Sequence, residues 1–167
     1  MADIFKIHLV PNTHSDLQYL KSYKEYLPTH LFNLKEGLDI LEKYPQYTYL
    51  TEHIALMEEF WRRFPDYRAK IKKFALSGRL EISPNLYCIS DMNMPCGESL
   101  IQQVYYGKRW TKKYLGTESR SAWIADSFGL NYQIPQILKG CGYSHCAFVR
   151  GVDDPERKSE FIWQGPC

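Results

Sequence analysis

Nothing in this chain is apolar over a length that would span a bilayer, since no uncharged run approaches the roughly 20 residues a helix would need. Neither sign of charge dominates: 21 Lys and Arg stand against 19 Asp and Glu, for a net charge of +2. That balance lacks the clustered cations of a nucleic-acid-binding surface and the polybasic stretch of a membrane anchor. Met1 to Lys6 has no basic segment leading into an apolar one, so no secretory signal is visible and a cytoplasmic location is expected. Low-complexity tracts, repeats and Gly/Ser/Pro linkers are missing too, which leaves 167 residues as one domain with room for a core. The five cysteines, Cys88, Cys96, Cys141, Cys146 and Cys167, include no C-x-x-C pair. Cys141, His145 and Cys146 lie close together, but their spacing fits no zinc finger, and simple burial of reduced thiols is the better account.

What the chain does have is an alternation of short apolar runs with longer amphipathic stretches. Phe5–Val10 alternates like a strand, and Thr29–Lys43 follows with Leu31, Leu34, Leu38 and Leu41 on one helical stripe. Tyr47–Leu50 is a second strand candidate, rich in β-formers. Glu52–Arg63 and Asp66–Ser77 read as helices, broken at Pro65 and closed by Gly78. Leu80–Ile82 reads as a third strand, Glu98–Leu115 as a helix ended by Gly116, and Ser121–Ala125 as a fourth strand. Gln133–Lys139 reads as a helix with Pro135 in its first turn, His145–Val149 as a fifth strand and Phe161–Trp163 as a sixth. Strands alternating with helices predict βαβ units and a parallel sheet, hence an α/β fold that forms part of a barrel. Five or six strands leave a parallel barrel open, so the expectation is an N-terminal piece of a longer polypeptide.

In such folds reactive side chains gather where strands end. The first strand runs into Pro11-Asn12-Thr13-His14-Ser15-Asp16, and in extended chain His14 and Asp16 point to one side. An imidazole and a carboxylate on one face are half of an N/O metal site. The competing reading makes Asp16 a helix cap. Asp126 directly follows the apolar Trp123-Ile124-Ala125, and it too is either a functional carboxylate or a cap. Arg150 ends the fifth strand, near Asp126 if the two strands pair, where it either holds an oxygen-rich ligand or makes a structural ion pair. Tyr19 is placed either to stack on a sugar ring or to pack against Tyr23 and Tyr26. Glu52 and Asp91 are further strand-end carboxylates to which spacing assigns no role.

The string His8-Leu9-Val10-Pro11-Asn12-Thr13-His14-Ser15-Asp16 resembles the opening signature of the glycoside hydrolase family 38 α-mannosidases. Gly78-Arg79-Leu80-Glu81-Ile82, with Asp91 and Gly97-Glu98-Ser99-Leu100 after it, is similar to the family's third-strand region. Trp123-Ile124-Ala125-Asp126-Ser127-Phe128-Gly129, followed by Gln133-Ile134-Pro135-Gln136-Ile137-Leu138, resembles its nucleophile segment. Gly142 and Val149-Arg150-Gly151 resemble the next strand and its terminal arginine. These ordered blocks cover nearly the whole chain and are specific together, whereas each alone is weak.

The resemblance implies a parallel β/α barrel of the family 38 type, with residues 1–167 as the N-terminal portion of its catalytic domain. It implies a Zn²⁺ cofactor bound by His14, Asp16 and Asp126, with Asp126 also the nucleophile, and a sugar site lined by Tyr19 and Arg150. It implies retaining hydrolysis of α-mannosides in mannose-containing glycans, with zinc gripping the 2- and 3-hydroxyls of the sugar. Asn12, Ser15, Leu17 and Tyr19 depart from the family's usual residues and bear on substrate preference. The family's fourth zinc ligand and general acid lie downstream of the matched blocks. Two other readings stand beside this one: a metal-dependent polysaccharide deacetylase with Asp126 as general base, and an inactive carbohydrate-binding fragment. No nucleic-acid or membrane partner is expected, and nothing in the sequence sets an oligomeric state.

Overall fold

Ser22 and Glu25 start the longest helix: the Ser22 backbone N–H donates to the Glu25 carboxylate at 2.9 Å, one half of a capping box. The computed structural model describes residues 6–83, 86–151, 156 and 158–166. Helix α1 (Tyr23–Lys43) begins six residues before the expected Thr29, because Pro28 lies in its second turn without stopping it. The apolar stripe explains the extension, since Leu27 is buried together with Leu31, Leu34, Leu38 and Leu41.

The expected first strand is displaced. Of Phe5–Val10, Phe5 lies outside the described residues, and residues 6–10 form no strand, with Ile7 and Leu9 each 81% exposed. Pairing starts later, in β1 (Asn12–Thr13), which runs parallel to β2 (Tyr49–Thr51). The Leu50 N–H donates to the Pro11 carbonyl at 2.9 Å. A three-residue β2 has no partner groups to offer further back along the first segment, so alternation there meets no ladder.

Beyond β2 come α2 (Ile54–Arg63), a 3₁₀ turn at Pro65–Tyr67, α3 (Arg68–Leu76) and β3 (Leu80–Ile82). Pro65 separates the helices as expected, and Gly78 takes the positive φ of +71° that lets the chain reverse into β3. The second half consists of α4 (Gly97–Tyr114), β4 (Ser121–Ile124), α5 (Ile134–Gly140) and β5 (His145–Phe148). Phe161–Trp163 is not a strand; Trp163 instead packs against the Phe148 ring at 5.3 Å between centroids.

All pairings are parallel, in the order β1-β2-β3 and, separately, β4-β5. Side chains span the seam, Ser83 among them. Ser83, fully buried, donates its hydroxyl to the Ser121 carbonyl at 2.5 Å and accepts the Trp123 N–H at 3.2 Å. Its own N–H donates to Thr51 at 3.1 Å, so one serine ties β2 to β4.

The core has two parts. Leu38, Leu41, Ile54, Met57, Phe60 and Ile71 centre the first, and Leu100, Val104, Ile124, Ile134 and Leu138 the second. Helix α4, about 27 Å long at 1.5 Å per residue, serves both: Leu100 and Val104 face the second part and Trp110 the first. Among the described residues no helix is long and apolar enough to cross a membrane.

At Gly37 α1 lies against the Tyr49 ring, which is buried in β2 and hydrogen-bonded to Thr13 of β1. A Cβ there would stand 2.6 Å from a ring carbon. Gly→Ala in a helix ordinarily stabilises by about 1 kcal/mol. Here overpacking reverses the sign, and Gly37→Ala should lower stability by about 1–3 kcal/mol in urea denaturation. A rise in the urea midpoint would mean that the ring yields freely.

Candidate functional site

His14 and Asp16 leave the end of β1, Glu52 and His53 the end of β2, Asp126 the end of β4 and Arg150 the end of β5. Parallel pairing brings these ends to one side. The His14 Nε2 atom lies 3.6 Å from Asp16 Oδ1 and 3.7 Å from Asp126 Oδ2. One donor atom from each of His14, Asp16 and Asp126 falls within 4.8 Å of the others, a spacing that a single metal ion can bridge. Among the described residues this is the one such cluster, and Cys141, His145 and Cys146 form none.

Neither carboxylate is a helix cap. Ser22 is the N-cap of α1 and Gln133 that of α5, so Asp16 and Asp126 are free to serve the cluster. Arg150 Nε donates to Asp126 Oδ1, and this hydrogen bond is the main reason the Asp126 carboxyl sits below the usual carboxylate range. The two oxygens of Asp126 are therefore divided, one toward Arg150 and one toward His14. The Arg150 guanidinium also covers the Phe128 ring at 4.9 Å. Tyr19 is 69% exposed, and the raised pKa of Arg150 comes mainly from its hydrogen bond to Asp126. Asp91 takes no part in the cluster; its carboxylate accepts the Asn93 N–H at 3.0 Å within a local turn.

A carboxylate and a histidine beneath the cluster hold it in place. Glu52, with its side chain fully buried, accepts from His14 Nδ1 at 2.9 Å and from Trp123 Nε1 at 2.7 Å. Burial raises its pKa, and His14 is the main opposing influence. An Nδ1–H donated to Glu52 leaves the Nε2 lone pair facing Asp16 and Asp126, the tautomer a metal ligand requires. The next residue, His53, has φ +57°, the one positive value outside glycine among the described residues. Its Nδ1 accepts the Ile89 N–H at 3.0 Å and its Nε2 donates to the Ser15 carbonyl at 2.8 Å. His30, on α1, hydrogen-bonds the Asp16 carbonyl at 2.8 Å. Three successive residues of the β1 loop thus have separate anchors.

The turn after Asp126 is also held. Ser127 donates to the Ser90 carbonyl at 3.0 Å and Asn131 to Met92 at 2.7 Å. Gly129 adopts φ +105° against Asn93, whose side chain any Cβ would strike. The donor set, one imidazole nitrogen and two carboxylate oxygens with the imidazole oriented by a buried carboxylate, suits a divalent metal of the zinc type.

Sequence reasoning singled out His14, Asp16, Asp126 and Arg150 as candidates at strand ends, with their roles implied by the resemblance, and noted Glu52 without a role. His53, His30 and the Trp123 indole were missed. The signal for His53 was its position directly after Glu52 at the end of β2; His30, in mid-helix, carried none.

The chain matches the Glycosyl hydrolases family 38 N-terminal domain over residues 4–167. It is 26% identical to Alpha-mannosidase 2C1 of Homo sapiens over 136 residues, 81% of this chain and 13% of that protein. It is 29% identical to Alpha-mannosidase 2 of Spodoptera frugiperda over 139 residues, 82% of this chain and 12% of that protein. The chain therefore spans about an eighth of the length of these curated relatives. In fold it is similar to the crystal structure of an alpha-mannosidase from Enterococcus faecalis V583, with a TM-score of 0.78 and 23% identity over 86% of this chain and 16% of that one.

Acid should act through His53. Burial lowers its pKa from 6.5 to about 4. Between those values the unfolded chain binds a proton that the folded chain excludes, so stability falls as pH falls, by about 1.4 kcal/mol per pH unit. Buried Glu52, with its raised pKa, works in the opposite direction. Urea midpoints of wild type and His53→Gln, compared from pH 6.5 to 4, isolate the histidine: the variant should lose less stability over that window. Parallel curves would mean that His53 is already charged in the folded state.

Proposed function

We propose that this chain, which belongs to glycosyl hydrolase family 38, supplies the metal-binding and nucleophile-bearing part of a zinc-dependent retaining α-mannosidase. The observation that carries the reading is the convergence of His14, Asp16 and Asp126 within 4.8 Å, with Arg150 on the far oxygen of Asp126. The matched relatives are alpha-mannosidases, and their names supply the substrate class, mannose-containing glycans. The parallel strand order and the likeness to the Enterococcus faecalis enzyme support a β/α barrel, to which these residues contribute the N-terminal strands.

His14, Asp16 and Asp126 would hold Zn²⁺, which when bound supplies a Lewis-acid template for sugar hydroxyls. Arg150 keeps Asp126 anionic. That carboxylate attacks the anomeric carbon while the glycosidic oxygen leaves with a proton from a second carboxylic acid, giving a covalent glycosyl-enzyme. Water, deprotonated by the same second group, then displaces the sugar with net retention. In a retaining enzyme the two carboxyls stand about 5–5.5 Å apart. Glu52 is not that acid, because it is buried with both oxygens engaged. Asp16 belongs to the ligand set. The family resemblance puts the acid downstream of the matched blocks. A carboxyl held low is also poorly matched to general-base work near neutrality, which favours Asp126 as nucleophile over the deacetylase reading.

The test is hydrolysis of an aryl α-mannoside by the complete polypeptide that carries this chain. Chelation and Asp126→Asn should each lower turnover about 10³-fold or more, and residues 1–167 alone should show none. Wild-type turnover by Asp126→Asn would overturn the nucleophile assignment. Turnover that survives chelation would overturn the metal.

A further inference from the structure

We propose that Glu52 is a positioning residue for the metal, setting the tautomer and aim of His14 through a chain that runs from β4 to β1; the inference rests on the metal reading above. The buried carboxylate has two oxygens and two side-chain donors, with the Ser15 backbone as a further partner. Trp123 Nε1, on β4, takes Oε1 at 2.7 Å, and His14 Nδ1, after β1, takes Oε2 at 2.9 Å. With Oε1 held by the indole, the carboxylate cannot rotate without giving up a buried hydrogen bond, so Oε2 stays beneath the imidazole. The ring is thereby fixed with Nε2 toward Asp16 and Asp126, at 3.6 and 3.7 Å. Asp126 itself follows β4, the strand that carries Trp123. One carboxylate therefore links the histidine ligand of one sheet to the strand that delivers the aspartate of the other.

The backbone bend at His53 makes this geometry available. In extended chain Glu52 and His53 would point to opposite faces. At φ +57° both turn onto the β1 loop, Glu52 to the His14 ring and His53 to the Ser15 carbonyl. A non-glycine residue in that conformation is strained, and such strain gathers at functional sites. Outer carboxylates on ligand histidines typically govern 10–100-fold in metal affinity.

The experiment measures Zn²⁺ affinity of the complete polypeptide by competition with a chromophoric chelator, for wild type, His14→Ala, Glu52→Ala, Glu52→Gln and Leu38→Ala. Wild type should bind the ion and His14→Ala should lose it. Glu52→Ala should bind about 10–100-fold more weakly. Glu52→Gln, which keeps the size and one acceptor oxygen, should recover part of that loss. Leu38→Ala removes fully buried core volume on α1, outside the ligand set, and should retain wild-type affinity despite lower stability. If Glu52→Ala does not fold, Glu52→Gln decides. Affinities of the Glu52 variants equal to wild type, with His14→Ala defective, would overturn the positioning role and leave the metal reading intact. Equal losses in Leu38→Ala and the Glu52 variants would mark the effect as general loosening and overturn it too. A wild-type protein that binds no Zn²⁺ would overturn the metal reading and this inference with it.

Discussion

A carboxylate taken wholly out of water must be met by donors, because an uncompensated buried charge costs several kcal/mol. Glu52 is that carboxylate here, and its donors come from both sides of the seam between the two sheets. The backbone ladders do not cross this seam, so side chains have to. Ser83, directly after β3, and Glu52, directly after β2, both cross it. The site consequently sits where side-chain hydrogen bonds tie one sheet to the other. A cluster with donor atoms within 4.8 Å tolerates little shift between the sheets.

The rigidity beneath the cluster has a local cost. His53 holds a backbone conformation that non-glycine residues avoid, at about 1–3 kcal/mol, and it is almost fully buried. Its two ring nitrogens each find a backbone partner, one in the β1 loop and one at Ile89. The strain is thus offset by hydrogen bonds that pin two segments far apart in sequence. The same residue closes β2 and starts α2, which explains why a three-residue strand can end on two buried, hydrogen-bonded side chains in succession.

Much of the fold was legible because it is written in local chemistry. Leu80–Ile82 is the strand its neighbours predict, Pro65 parts two helices, and Gly78 turns the chain at their end. Two of the errors share one cause. Alternation over Phe5–Val10 looks like a strand, yet a strand exists only where a neighbour offers hydrogen bonds, and β2 is too short to reach it. Phe161–Trp163 failed in the same way. The start of α1 was misplaced because Pro28 carries a strong local stop signal that the buried stripe through Leu27 outweighs.

The sequence alone determined the residue types at the strand ends, the helix faces and the breaks, because each depends on neighbours within a few positions. It also carried the ordered blocks that mark the family. Tertiary structure decided the rest: that Asp16 and Asp126 lie beside His14 instead of capping helices, that Arg150 meets Asp126, and that Glu52 meets the His14 ring. These choices join residues 24, 38 and 71 positions apart. No local preference encodes such a pairing; it exists only once parallel strands have brought their ends together and burial has left a single set of partners within reach.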